Sequence, residues 1–147
     1  SDSCIISYSD IFYDAAAPLS LTKSDADIAV TYDPNWLEIW GARFEDPLID
    51  AETFKLREDH SLAEIGQKPK TVEEVQGQYM GLLRFTPHGW NEVLRIRSIM
   101  APTDADSMHM TGTLQKVIEE GRIPVCAVPY IGEWGEVDSE DDLKVYE

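Results

Sequence analysis

The stretch Cys4 to Asp14, C-I-I-S-Y-S-D-I-F-Y-D, begins with an apolar run that is typical of a buried β-strand. The run stops at Ser9-Asp10 and resumes with Ile11 and Phe12. A carboxylate between hydrophobic neighbours is unfavourable unless a hydrogen bond, a cation or a metal ion compensates its charge. The remainder of the chain is therefore expected to supply a partner for Asp10.

Strands and helices alternate along the rest of the chain, which predicts the α/β class. Strands are expected at 4–8, 27–33, 53–57, 61–65, 78–85, 123–128 and 134–138. Helical segments are expected at 15–23, 87–100, 110–120 and after Ser139, with a short turn or helix around 36–40. The strands at 53–57 and 61–65 are expected to form an antiparallel hairpin, whereas 102–107 is polar and is predicted to be a loop.

The chain has 147 residues, which fits a single domain, 1–147, with a sizeable core. Its 12 Lys and Arg against 28 Asp and Glu give a net charge of −16, so nucleic acid is not expected as a partner. No apolar run approaches the roughly 18 residues that span a membrane. Cys4 and Cys126 each lie in an apolar run and are expected to be buried free thiols of a cytoplasmic protein.

Two segments place acids at the end of a predicted strand. Asp10 follows the first strand, and Glu136 and Asp138 follow Trp134. In open α/β sheets ligands bind at the carboxyl ends of the strands, and Mg²⁺ prefers one or two carboxylates together with a substrate phosphate. A metal site is therefore one interpretation. The other is that Asp10 caps a turn and Asp138 merely precedes the helix cap of Ser139.

A series of motifs also resembles a known family. The motifs occur in one order along nearly the whole chain: S-Y-S-D-I, Y-D-P-N-W, I-G-Q-K-P, G-Q-Y-M-G-L-L-R-F, M-T-G-T-L-Q and G-E-W-G-E-V-D-S-E-D-D-L. They resemble the nucleotidyltransferases that join a nucleoside triphosphate to a phospho-compound. The nearest branch is that of the phosphocholine and 2-aminoethylphosphonate cytidylyltransferases, which are relatives of the sugar-1-phosphate nucleotidyltransferases.

The resemblance implies the later part of a glycosyltransferase-A-like, Rossmann-related mixed sheet, the fold of nucleotide-diphospho-sugar transferases. It also implies that Asp10 and Asp138 hold Mg²⁺ against the triphosphate. The implied reaction is in-line attack of a phosphate or phosphonate oxygen on the α-phosphorus, which transfers a nucleotidyl group, CMP in this branch, and releases pyrophosphate. The implied partners are a nucleoside triphosphate and a small phospho- or phosphono-acceptor.

One part of the family pattern does not occur in these 147 residues. Members of the family begin with a glycine-rich loop that carries Arg and is followed by Lys, and such loops bind phosphates through backbone N–H groups. We therefore expect this chain to be the metal- and acceptor-binding fragment of a larger nucleotidyltransferase domain, and to be inactive by itself. A face left uncovered in such a fragment would favour homo-oligomers.

Six residues are predicted to bind the substrate. The large aromatics would hold an alkylammonium group by cation–π attraction, the cations would meet the acceptor phosphate, and the acid lies beside the metal; the residues are Trp36, Tyr79, Trp134, Arg43, Lys68 and Glu136. Trp36 and Tyr79 are preferred because each lies next to a loop. The alternative for the aromatics is core packing, and for the cations it is an ordinary surface position.

Two further functions are compatible with the sequence. One is a sugar-1-phosphate nucleotidyltransferase that uses UTP or another triphosphate, with polar groups for sugar hydroxyls in place of aromatic faces. The other is a non-catalytic binding or regulatory domain of the same fold. The sequence leaves the nucleotide base and the acceptor open.

Overall fold

A computed structural model of the chain describes residues 2–147. The strands are β1 (Cys4–Ser7), β2 (Ile11–Tyr13), β3 (Ile28–Asp33), β4 (Phe54–Leu56), β5 (Leu62–Ile65), β6 (Gln78–Phe85), β7 (Val125–Pro129) and β8 (Trp134–Glu136). The helices are α1 (Ala16–Thr22), α2 (Trp36–Arg43), α3 (Pro87–Ile99), α4 (Pro102–Ser107), α5 (Met110–Glu120) and α6 (Glu140–Tyr146), with a 3₁₀ turn at Val72–Glu74. In residues 2–147 no helix has both the length and the apolar character that crossing a lipid bilayer requires.

The central sheet is mixed and has four strands in the order β1-β6-β3-β7. Strand β3 pairs in parallel with β7 and antiparallel with β6, and β6 pairs antiparallel with β1. Strands β1, β3 and β7 therefore point in one direction, and their carboxyl ends meet the start of β6 at one edge of the sheet. The α/β class predicted from the sequence and the mixed sheet implied by the resemblance are both confirmed.

Two apolar cores lie on the two faces of this sheet, because side chains alternate along a strand. On strand β3, Ile28, Val30 and Tyr32 belong to one core, and Ala29 belongs to the other. The first core is closed mainly by α3 and α5. Helix α5 packs against it along one face, on which Leu114 and Val117 are buried.

The second core contains α1, α2 and the ribbon that β2 and β8 form. Its members include three tryptophans, Trp36, Trp40 and Trp134. The antiparallel hairpin predicted around residues 53 to 65 is also confirmed, as β4 pairs with β5. Ser139 caps α6 as predicted, since its hydroxyl accepts a hydrogen bond from the N–H of Asp142.

Two local predictions are wrong. Residues 102–107 form helix α4 and not a loop, because Pro102 sets the backbone for a first turn and Ala105 is buried beneath it. Strand β1 is exposed and not buried, because it occupies the edge of the sheet and pairs with β6 alone among the described strands. As a consequence Cys4 is an exposed thiol, and Cys126 is only partly buried.

Candidate functional site

The structure brings three carboxylates together at the edge where β1 ends. Asp10, Glu136 and Asp138 each offer an oxygen, and these oxygens all lie within 4.8 Å of one another. Antiparallel pairing of β2 with β8 places Ile11 opposite Glu136, and the N–H of Val137 donates to the carbonyl of Asp10 at 2.9 Å. The ribbon therefore joins two acids that are far apart in the sequence, as the metal prediction requires.

Arg43, the last residue of α2, lies against this group of acids. Its side chain is fully buried, and Nη2 donates to Oδ2 of Asp138 at 3.1 Å, while Nη1 lies 3.7 Å from Oε2 of Glu136. The side chain of Asp138 is nevertheless 48% exposed and that of Glu136 is 25% exposed. The predicted contact of Arg43 with the acceptor phosphate has no support in this geometry, because the guanidinium is enclosed by the protein's own carboxylates.

Asp142, in the first turn of α6, completes the arrangement. Its carboxylate accepts from Arg43 through both oxygens, at 2.7 Å from Nε and at 3.2 Å from Nη2. The same Oδ2 accepts from the backbone N–H groups of Asp138 and Ser139, each at 3.0 Å. Tyr146 holds the preceding strand, because its hydroxyl donates to the carbonyl of Glu136 and accepts from its N–H.

The surroundings of these acids change their proton affinities in opposite directions. Burial, first, and the charge of Asp138 together raise the pKa of Glu136 to about 7, although Arg43 acts against both. Hydrogen bonding to Arg43 lowers the pKa of Asp142 to about 2. Burial alone would lower the pKa of Arg43, but its bonds to Asp142 and the nearby charges outweigh this and raise it. Negative charge is thus in excess beside Glu136.

A cavity of about 270 Å³ adjoins the acids and shares Glu136 with them. Its walls come from the β1–β2 turn, the start of β6, the segment before β4 and the start of α5; the lining residues are Tyr8, Ile11, Asp50, Glu52, Gln78, Tyr79, Met80, Gly81, His109, Thr111 and Glu136. The rings of Tyr8 and Tyr79 meet edge to face, with their centroids 5.7 Å apart. The hydroxyl of Tyr79 is buried and has no hydrogen-bond partner among residues 2–147.

Gly81 is needed for this wall of the cavity. It has a φ of +81°, a conformation that residues with a Cβ rarely adopt, and a Cβ there would lie 2.7 Å from the ring of Tyr8. The N–H of Tyr8 donates to the carbonyl of Gly81 at 2.9 Å. Any larger residue at this position would push the Tyr8 ring out of place.

Two acids of the cavity, Asp50 and Glu52, were not among the predicted site residues. Burial is the main cause that raises the pKa of each carboxyl group. The sequence carries a signal for them, because Asp50 and Glu52 alternate with Ala51 and Thr53, which are both buried. This period of two puts both acids on one side of the backbone as it enters β4.

The predicted tryptophan contacts lie in the core. Trp36 begins helix α2, is only 2% exposed and donates from Nε1 to the carbonyl of Val75 at 3.0 Å. Trp134 is buried, stacks on Trp40 with centroids 5.9 Å apart and donates to Asp33 at 2.8 Å. The prediction that Trp36 and Trp134 hold an alkylammonium group is therefore wrong, because both rings are buried and neither lines the cavity.

Of the remaining predicted site residues, Lys68 lies away from the cavity, and Tyr79 and Glu136 lie in its wall. Lys68 donates from Nζ to the carbonyls of Leu48 and Ile49, at 2.7 Å each, and does not line the cavity. Its predicted role in meeting the acceptor phosphate has no support in this geometry, because both contacts fasten one loop to another. Tyr79 and Glu136 do line the cavity, and their contact with a substrate stays a prediction.

Comparison with known proteins gives one similar curated protein and several similar folds. The chain is 34% identical to the CTP:phosphoglutamine cytidylyltransferase of Campylobacter jejuni over 147 residues, which cover 96% of this chain and 57% of that protein. The chain thus spans a little over half the length of this relative. No protein-family model matches the chain.

Two solved structures share the fold. The inositol-1-phosphate CTP transferase from T. maritima superposes with a TM-score of 0.71 at 18% identity, over 99% of this chain and 54% of that one. A protein from Bacillus anthracis, described as a glucose-1-phosphate thymidylyltransferase and solved with a sucrose, gives 0.69 at 14% identity, over 97% of this chain and 52% of that one. The predicted resemblance is confirmed: the chain is similar, over nearly its whole length, to part of a cytidylyltransferase-like nucleotidyltransferase and has the fold of that class.

Proposed function

We propose that this chain forms the metal- and acceptor-binding part of a cytoplasmic nucleotidyltransferase that transfers CMP from CTP to a small phospho- or phosphono-compound. The observation that carries the proposal is the convergence of Asp10, Glu136 and Asp138 beside an acidic cavity. The similarity to a protein named as a CTP-dependent cytidylyltransferase supports the choice of nucleotide. In this reaction an acceptor phosphate oxygen bonds to the α-phosphorus, and the bond from that phosphorus to the pyrophosphate oxygen breaks.

In this proposal Asp10 and Asp138, with Glu136 beside them, hold Mg²⁺. The donors are all carboxylate oxygens, which suit Mg²⁺, and the exposed side of Asp138 leaves room for water and phosphate ligands. When bound, the ion neutralises the triphosphate and the departing pyrophosphate. The residues of the chain themselves bind and orient, since phosphoryl transfer depends mostly on positioning and on charge compensation.

The cavity is proposed to take the acceptor. Two carboxylates, Asp50 and Glu52, face it together with the rings of Tyr8 and Tyr79. Acids and aromatic faces both attract an alkylammonium group, and each cation–π contact contributes on the order of 0.5–2 kcal/mol. An acceptor that carries an amine is therefore proposed, with Tyr8 and Tyr79 in the place of the two tryptophans.

A sugar phosphate is the second candidate acceptor. The same carboxylates, with Gln78 and Thr111, also line the cavity with hydrogen-bonding groups that suit sugar hydroxyls. Under this alternative the triphosphate would be UTP or another nucleotide, and the tyrosine rings would pack on the sugar without a preference for positive charge.

The test is pyrophosphate release by the protein expressed from its complete gene. CTP, UTP and dTTP are each paired with phosphocholine, 2-aminoethylphosphonate, phosphoglutamine, inositol-1-phosphate and glucose-1-phosphate. The expected result is turnover with CTP and an amine-bearing acceptor, and its loss in Asp10→Asn and Asp138→Asn. Release with a sugar phosphate alone would establish the alternative. No release with any pair from a folded protein would overturn catalysis and favour a binding domain.

A further inference from the structure

We infer that Arg43 and Asp142 are positioning residues that hold Asp138 and Glu136 in the geometry a divalent cation needs, an inference that rests on the proposed metal site. Neither residue would contact the ion or the substrate. Arg43 would act through the side chains of the two acids, and Asp142 would act through Arg43 and through the backbone of Asp138.

The carboxylate of Asp142 accepts hydrogen bonds from Arg43 and from the backbone of the segment that carries Asp138. Its two oxygens accept from Nε and Nη2 of Arg43, which is the paired geometry that a planar guanidinium makes with a carboxylate. Its Oδ2 also accepts from the N–H of Asp138. Helix α6 therefore fixes both the arginine and the backbone that carries Asp138.

The guanidinium of Arg43 is itself held on both sides by other groups. It lies over the ring of Trp40 at 4.9 Å and over the ring of Phe44 at 5.0 Å. Nη2 is bonded to Asp138, and Nη1 is buried without a hydrogen-bond partner among residues 2–147, 3.7 Å from Glu136. Nη1 thus faces Glu136 at ion-pair distance, and we expect the guanidinium to orient Glu136 by its charge and Asp138 by a hydrogen bond.

A simpler role for Arg43 is to supply positive charge among the acids. The two roles predict opposite effects of substitution. If Arg43 only supplies charge, Arg43→Gln makes the site more negative and a divalent cation binds more tightly, whereas Arg43→Lys leaves binding unchanged. If Arg43 positions the acids, both substitutions weaken binding, because neither side chain reproduces the planar arrangement of five donors.

The experiment is a Mn²⁺ titration of the 147-residue chain, with free Mn²⁺ followed by electron paramagnetic resonance. We expect Arg43→Lys, Arg43→Gln and Asp142→Asn each to raise the Kd by about 10–100-fold, the usual effect of losing a group that orients a metal ligand. Asp10→Asn reports on the metal site itself. Glu92→Gln is the matched control, because Glu92 is a buried carboxylate paired with arginine on α3, and its Kd is expected to stay within about twofold of wild type.

The outcomes separate the inference from the proposed function. Wild-type binding that is lost in Asp10→Asn but is unchanged or tighter in the Arg43 variants would overturn the positioning role and leave the metal site standing. No binding by the wild type would overturn both. If Arg43→Gln fails to fold, Arg43→Lys decides the question, since it keeps the charge and most of the packing.

Discussion

Two arginine–carboxylate clusters lie in different parts of the molecule and differ in their balance of charge. On α3, Glu92 is 7% exposed and accepts two hydrogen bonds from Arg95, at 3.0 and 2.7 Å. Arg122 lies 3.7 Å from the same carboxylate, and Arg95 also meets Glu120 at 3.2 Å. This cluster contains two acids and two guanidiniums, so its formal charge sums to zero.

The cluster at the candidate site has the opposite character. Arg43 is its one guanidinium among the described residues, and it contacts Glu136, Asp138 and Asp142, with Asp10 beside them. Four acids and one arginine leave a formal charge of −3. Asp10 and Asp138 are exposed, so water solvates part of this excess, and Glu136 is the least exposed of the three acids that lie together. In the proposed function this excess of carboxylates attracts a divalent cation, and the balanced cluster on α3 has no such excess.

The largest expected effect concerns the carboxylates of the proposed metal site. Asp138→Asn should lower CTP-dependent pyrophosphate release by about 10²–10³-fold, the scale of losing one preorganised electrostatic group. Steady-state turnover at saturating Mg²⁺ measures it. Glu92→Gln should keep its turnover, and equal losses in the two variants would show that the clusters do not differ in function.

The balanced cluster should matter for stability instead. Glu92→Gln removes the charge that Arg95 and Arg122 share, and Tm at neutral pH should fall by roughly 5 °C. Hydrogen bonding to Arg95 lowers the pKa of Glu92 below its ordinary 4.5 in the folded state. The stabilisation is therefore present above pH 4.5 and is lost as the pH falls through the lowered pKa. Thermal melts from pH 3 to pH 7 test this, and a constant difference between the two proteins across that range would contradict it.

Glu136 should show the opposite dependence on pH in the metal-free protein. Burial, first, and the charge of Asp138 raise its pKa from 4.5 to about 7, with Asp50 and Asp10 adding to the effect and Arg43 opposing it. The folded state then binds a proton more tightly than the unfolded chain, so the contribution of Glu136 to stability is lost as the pH rises towards 7.

Glu136→Gln should accordingly become more stable than the wild type as the pH rises from about 4.5 to about 7. Urea unfolding at pH 5 and pH 8 without divalent ions measures the difference. Added Mn²⁺ should reduce it by stabilising only the wild type. If Glu136→Gln is less stable than the wild type at pH 8, the charge of Glu136 is already compensated within the protein, for example by Arg43.

The smallest effect is expected for an exposed pair on the same helix as Asp142. Lys144 donates to Asp141 at 2.6 Å, but both side chains are largely exposed to water. Lys144→Ala should leave both the unfolding midpoint and Mn²⁺ affinity unchanged within error, because surface ion pairs contribute little. A clear gain in metal affinity would show that α6 acts through its overall charge and not through Asp142.

Local sequence signals predicted most elements and the first pair of acids. The bounds of β6, Gln78–Phe85, and of α5, Met110–Glu120, agree with the predicted ones, because each segment has a clear period and a clear end. Gly121 ends α5 in the left-handed conformation that glycine favours. Asp10 and Asp138 were predicted because an acid directly after an apolar strand is locally unusual.

Burial and long-range pairing were harder to predict, because both depend on which strands become neighbours. Strand β1 has the composition of a buried strand, yet it lies at the sheet edge. Trp36 and Trp134 were expected at a ligand but fill the second core, since a loop nearby in sequence does not place a side chain at the surface. Asp50 and Glu52 were missed because an acid before a short strand is common and its neighbours across the cavity come from elsewhere.

By itself the sequence determined the α/β alternation, the helix caps and the acids at the strand ends, since these follow from periodicity and from backbone hydrogen bonding within a few residues. Only the tertiary structure decided that Arg43 donates hydrogen bonds to Asp142, which lies 99 positions further along the chain. The buried guanidinium is therefore not free to bind a substrate. Electrostatic interactions depend on distance in space and on burial, and the spacing of residues along a chain determines neither of them.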